Sequence, residues 1–224
     1  MGQDLRLTAS DGHEFGAYRA DPDGAAKGGI VVLQEIFGVN IHIREVCEGF
    51  AADGYLAIAP ALFDRSSRPG IQLGYSPEDI AVGRGLSGEF TEEAAMLDVE
   101  AAAAVARAEG LKVGTVGYCR GGTHSFLAGC RLNVQGAVVY YGGQIVPFKD
   151  EAAGCPMLMH FGEHDAGIPL SDVEQIRAAQ PQADIHIYDA DHGFNCDHRG
   201  SYNEAAAVEA RARTMAFFGE NLGA

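Results

Sequence analysis

Gly117-Tyr118-Cys119-Arg120-Gly121-Gly122 follows the apolar run 113–116 and precedes the helix-forming segment 123–128. Strand, sharp turn and helix in that order are what a nucleophile elbow requires. The turn is so tight that small residues must flank its central residue, whose side chain is then held out at the carboxyl edge of a sheet. Here that residue is a cysteine. An imidazole and the amino end of a helix can both activate a thiol placed there. A glycine-rich turn enclosing a buried cysteine would read the same way, so the assignment depends on partners elsewhere in the chain.

Two later stretches supply them. Gly162-Glu163-His164-Asp165 follows the apolar run 156–161, and Asp191-His192-Gly193-Phe194 follows the alternating run 184–188. Each sets a polar residue just beyond a strand end. The chain order is therefore Cys119, Asp165, His192: nucleophile, acid, histidine, as in the α/β-hydrolase arrangement. The intervals leave room for the intervening helices and strands, so all three can meet at one edge of a parallel sheet. Asp189 and Asp191 compete with Asp165 for the acid, and His124, His160 and His164 read equally well as core or supporting residues. Strand-end position and chain order favour Asp165 and His192. Cys47, Cys130 and Cys155 read as small buried hydrophobes. The grouping His192, Cys196, His198 matches no common zinc spacing, so neither a metal nor another cofactor is expected.

The rest of the chain alternates strand and helix signals, which predicts a mostly parallel sheet with helices on both faces. Strands are expected at 5–9 and 14–18, paired as a hairpin across Asp11-Gly12, and at 29–34, 55–59, 112–117 and 136–140. Asn40 caps a helix ending near Gly54, Thr91 caps an Ala-rich helix to 109, and 204–221 forms the last helix. Ser171-Asp172-Val173-Glu174 has the form of a capping box. Segment 65–88, rich in Gly, Pro and Ser, reads as a loop or cap with a short helix near 78–83.

At 224 residues the expected organisation is one domain, 1–224. A net charge of −15 offers no basic footprint for nucleic acid, and the apolar runs are too short for a membrane span. Five cysteines without close pairs, and no visible signal peptide, suggest a cytoplasmic protein, monomeric or a homodimer.

Four stretches together resemble the dienelactone hydrolase (carboxymethylenebutenolidase) family of α/β-hydrolases: Asp11-Gly12-His13, Gln34-Glu35-Ile36-Phe37-Gly38-Val39-Asn40, Gly117-Tyr118-Cys119 and Asp191-His192-Gly193-Phe194. The resemblance spans nearly the whole chain, and residues 34–40 are its most specific piece. It implies a Cys119-His192-Asp165 triad, hydrolysis of small esters or lactones through a thioester, and a fourth residue, Glu35, that meets the thiol before substrate binds. The backbone N–H groups of Ile36 and Arg120 are the expected oxyanion donors. The family's two substrate-binding arginines are missing from their places, which hold Ile80 and Cys196. Arg84 and Arg199, nearby in sequence, are the arginines that could take over. Weak activity on carboxylate-bearing lactones, and better activity on neutral or singly charged esters and lactones, is therefore expected unless the loops bring either guanidinium to the mouth of the Cys119 pocket. A general carboxylesterase or thioesterase on the same scaffold, and a redox-sensing thiol protein without turnover, are the other readings.

Overall fold

Apolar runs long enough to be buried on both faces become the centre of one sheet. The computed structural model describes residues 2–223. Strands β1 (Gln3–Thr8) and β2 (Glu14–Ala20) form the hairpin, with Gly12 at φ 86° in the turn. β3 (Gly29–Leu33), β4 (Leu56–Pro60), β5 (Val113–Tyr118), β6 (Gly136–Tyr140) and β7 (Met157–Gly162) are buried throughout, whereas the edge strands β1 and β8 (Asp184–Tyr188) alternate between covered and exposed residues. The sheet order is β1-β2-β4-β3-β5-β6-β7-β8; β1 and β2 run antiparallel to their neighbours and the others are parallel.

The helices cover both faces. α1 (Ile41–Ala52) and α6 (Glu204–Leu222) lie on one side, where Phe50 meets Phe218 at 5.9 Å between ring centroids. α3 (Glu92–Ala108) and α4 (Arg120–Arg131) lie on the other. α2 (Pro77–Ser87) stands over the carboxyl edge, and α5 (Leu170–Ala179) links β7 to β8. Asn40, Thr91 and Asn203 each accept a backbone N–H as helix caps.

Two local expectations need correction. The helix expected near 78–83 runs over Pro77–Ser87, because Ser76 and Asp79 form a reciprocal capping box with Pro77 at the first turn. The capping box expected at Ser171 does not form. Pro169, extended at φ −61° and ψ 150°, starts α5 instead and puts Ser171 inside the helix.

The strand order reverses direction of growth between β3 and β5. A crevice forms at such a switch point beyond the carboxyl ends of the two strands. The segment starting at Gln34 leaves β3 there, and Cys119 leaves β5 there. The two are held together by close packing: a Cβ on Gly121, in the first turn of α4, would overlap the Leu33 carbonyl oxygen at the end of β3. Gly121→Ala is therefore expected to destabilise the protein by about 2 kcal/mol or more, read from the urea midpoint. An unchanged midpoint would contradict this packing.

Candidate active site

Cys119 occupies the turn between β5 and α4 with φ 54° and ψ −116°. Positive φ forces a Cβ into crowded space and costs of order 1–3 kcal/mol. The surroundings hold it there: its N–H donates to the Tyr140 carbonyl at 3.0 Å, and its carbonyl accepts from Gly122 N–H at 2.9 Å. The only other non-glycine residue at positive φ among the described residues is Tyr141, just past β6. Its ring lies 5.0 Å from that of His192, so both strained positions belong to one site. The sequence reading passed over Tyr141; its signal was the Tyr141-Gly142-Gly143 turn after a buried strand.

Asp165 is 4% exposed at the end of β7. Its Oδ1 accepts from Gly167 N–H at 2.8 Å, and its Oδ2 accepts from His192 Nδ1–H at 2.6 Å. This leaves the far side of the imidazole for Cys119. Burial alone would push the His192 pKa down, but the hydrogen bonds to Asp165 and Cys119 and the negative charge of both raise it to about 10. The competing acids are elsewhere: Asp189 accepts from exposed His164 at 2.6 Å, and Asp191 is exposed on the rim of the cleft. His160 is core, bonded to Tyr188 and Thr214.

Glu35 is 2% exposed, and its Oε1 accepts from Arg199 Nη1–H at 2.9 Å. The Arg199 guanidinium also stands 5.8 Å from the Phe37 ring centroid and 6.0 Å from that of Tyr75. Glu35 thus meets an arginine where the family resemblance implied a meeting with the thiol. Burial disfavours charge on Arg199, and Glu35 more than offsets it.

Arg120 opens α4, so its N–H has no intrahelical acceptor. Its side chain is paired with Glu92 of α3 and Gln144. Ile36 is pinned from above, where Gly83 of α2 packs so close to the Ile36 carbonyl that a Cβ would overlap it. Cys119, His192, Ile36, Arg120, Arg84 and Arg199 all line one cleft of 760 Å³. Ile80 forms part of its wall. Cys196 does not: it is buried and donates its S–H to the Tyr75 hydroxyl at 3.3 Å.

All five cysteines are free thiols. The grouping His192, Cys196, His198 does not form. Cys196 instead faces Glu35 and His42, with one potential ligand atom of each within 4.8 Å of the others, and His198 groups in the same way with His42 and Asp197.

No helix among the described residues is long and apolar enough to cross a membrane. A family model described as "Dienelactone hydrolase family" matches residues 15–222. A carboxymethylenebutenolidase of Pseudomonas putida is 34% identical over 97% of this chain and 96% of its own. A protein of Synechocystis sp., provisionally described as a carboxymethylenebutenolidase, is 36% identical over 93% of each chain. A crystal structure from Klebsiella pneumoniae, provisionally described as a dienelactone hydrolase, superposes with a TM-score of 0.84 at 30% identity, over 97% of this chain and 99% of the other.

The raised His192 pKa has a definite sign. A histidine whose folded pKa exceeds the free value of 6.5 contributes stability that is complete below that pH and is lost as the pH rises through about 10. NMR titration of the imidazole should place its midpoint well above 6.5. Asp165→Asn should bring it down by about one unit or more. An unshifted midpoint in that variant would show that Asp165 does not hold the ring.

Proposed function

The chain belongs to the dienelactone hydrolase family and is a hydrolase, and we propose that it cleaves small carboxylate-bearing esters or lactones through a thioester on Cys119, with His192 and Asp165 completing a triad. The observation that carries this reading is the 2.6 Å bond from His192 Nδ1 to Asp165, with Cys119 on the other side of the imidazole at the head of α4. The hydrogen bond to Asp165 orients the ring so that Nε2 faces Cys119 and holds the proton the thiol gives up, in keeping with its raised pKa.

Cys119 Sγ attacks the ester carbonyl carbon with the thiol proton held on His192 Nε2. The carbonyl π electrons move to oxygen, and the N–H groups of Arg120 and Ile36 are the donors aimed at that developing charge. The intermediate collapses, the C–O bond to the leaving group breaks, and His192 returns its proton to the departing oxygen. For a lactone the departing oxygen stays tethered to the acyl group. Water, deprotonated by His192, then attacks the thioester carbonyl, releases the acid and restores the thiol. Thiolate leaves well, so esters and lactones are suited to the site better than amides.

Arg199 supplies the substrate preference. The sequence expectation of weak activity on carboxylate-bearing lactones rested on Ile80 and Cys196 standing where arginines should be. Arg199 lies in the cleft despite its different position in the chain, and Arg84 stands exposed at the same cleft on α2. A substrate carboxylate can compete with Glu35 for the Arg199 fork.

Two measurements test the proposal. Cys119→Ala should abolish turnover of an ester and lactone panel; full activity would end the covalent mechanism. The wild type should prefer a carboxylate-bearing lactone to its methyl ester by about a hundredfold in kcat/KM, roughly 2.7 kcal/mol, and Arg199→Ala should erase that preference. Equal rates on acid and methyl ester would instead support a general carboxylesterase.

A further inference from the structure

A second cluster of metal-ligating side chains lies behind Glu35, on the face of the sheet that carries α1. His42 and Glu45 are one turn apart on α1 and share a face of it. Asp197 and His198 are consecutive in the loop 193–203, between His192 and α6. Asp197 Oδ1 lies 3.8 Å from His42 Nδ1 and 3.7 Å from His198 Nε2, while His198 Nε2 lies 2.6 Å from Glu45 Oε2. Donor atoms 2.0–2.2 Å from a tetrahedral ion are about 3.3 Å from one another. His42, Asp197 and His198 each offer a ligand atom within 4.8 Å of the others, and Glu45 adjoins them through His198. A cavity of 510 Å³, lined in part by His42, Glu45 and Asp197, gives an ion a route from solvent.

His42 is the buried member of the cluster. The residue is 3% exposed, and its Nε2 has no hydrogen-bond partner. Buried polar atoms are rarely left so. The imidazole also offers a nitrogen within 4.8 Å of both a Glu35 oxygen and the Cys196 sulfur. An ion on Nδ1 would fix the proton on Nε2 and leave that atom a donor.

We propose that His42, Asp197 and His198, with Glu45 as the fourth donor, bind one divalent transition-metal ion of the zinc type. Two imidazoles with carboxylates suit zinc, cobalt or nickel better than magnesium or calcium. A net charge of −15 draws cations to this surface. The bound ion fastens α1 to the loop that carries His192 and Arg199, so its role is to hold that loop. No spacing rule points to it, since Glu45 and His198 stand 153 positions apart.

The test uses the full, tag-free chain, stripped with EDTA and dialysed. Titration with Zn²⁺ should find one equivalent at micromolar Kd or tighter. His198→Ala and Asp197→Asn, both at exposed positions, should each weaken it tenfold or more. The wild-type Tm should rise by about 5 °C at a hundredfold excess over Kd, and the rise should vanish in His198→Ala. Co²⁺ in place of Zn²⁺ should give a visible ligand-field spectrum with no thiolate charge-transfer band, because every donor is nitrogen or oxygen. Binding only at millimolar metal would overturn the proposal. So would an affinity unchanged in His198→Ala, or a charge-transfer band lost in Cys119→Ala or Cys196→Ala, which would move the ion to a thiol site.

Discussion

Cys119 can keep its positive φ only while β3, β5 and α4 stay pressed together. Gly121 packs against Leu33 on one side and Gly117 on the other, too close for a Cβ at either glycine, and it lies at the point where the sheet changes its direction of growth. One packing constraint therefore does three things. It exposes the thiol at the head of a helix, brings Ile36 into the same cleft from the segment after β3, and leaves a crevice between them. The cost of the strained backbone is offset by burial throughout the flanking strands. Tyr141 shares this arrangement, being strained in turn and packed against His192.

Charge is organised around the crevice by pairing. Asp165 holds His192, Glu35 holds Arg199, and Glu92 holds Arg120. In each pair a largely buried carboxylate from one element meets a cationic or basic side chain from another. A buried charge is tolerated only with such a partner. On a protein of net charge −15 this is also how an anion can be received at all. Arg120 and Arg199 are neutralised in the resting site, and on the proposed reading a substrate carboxylate gains Arg199 only by displacing Glu35. The preference for acids over esters should then depend on how easily Glu35 gives up Arg199.

Most of the fold was legible because its signals are local. Continuous apolar runs mark the buried strands, Asn40 and Thr91 mark helix starts, and the elbow glycines mark the turn at Cys119. The order of Cys119, Asp165 and His192 along the chain located the three strand ends that the structure brings together, and Asp189 and Asp191 fall away from the imidazole as strand-end position suggested. What depends on loop path was not legible. Arg199 reaches Glu35 from a loop whose course no spacing rule describes, and Cys196, its near neighbour, turns into the core on Tyr75. Ser171 read as a cap because its motif fits. Pro169, whose φ is fixed, decided where α5 begins.

The covalent role of Cys119 is the claim on which the rest of the functional account stands. Its most direct test is acid quenching of the enzyme during turnover of an activated p-nitrophenyl ester, followed by mass spectrometry of the whole chain and of its peptides. Activated esters speed acylation, so hydrolysis of the thioester should limit the rate and the acyl-enzyme should accumulate. The account predicts one acyl group per chain, on the peptide containing Cys119 and removable by hydroxylamine. Steady turnover with no acylated chain, or an acyl group on another residue, would contradict it.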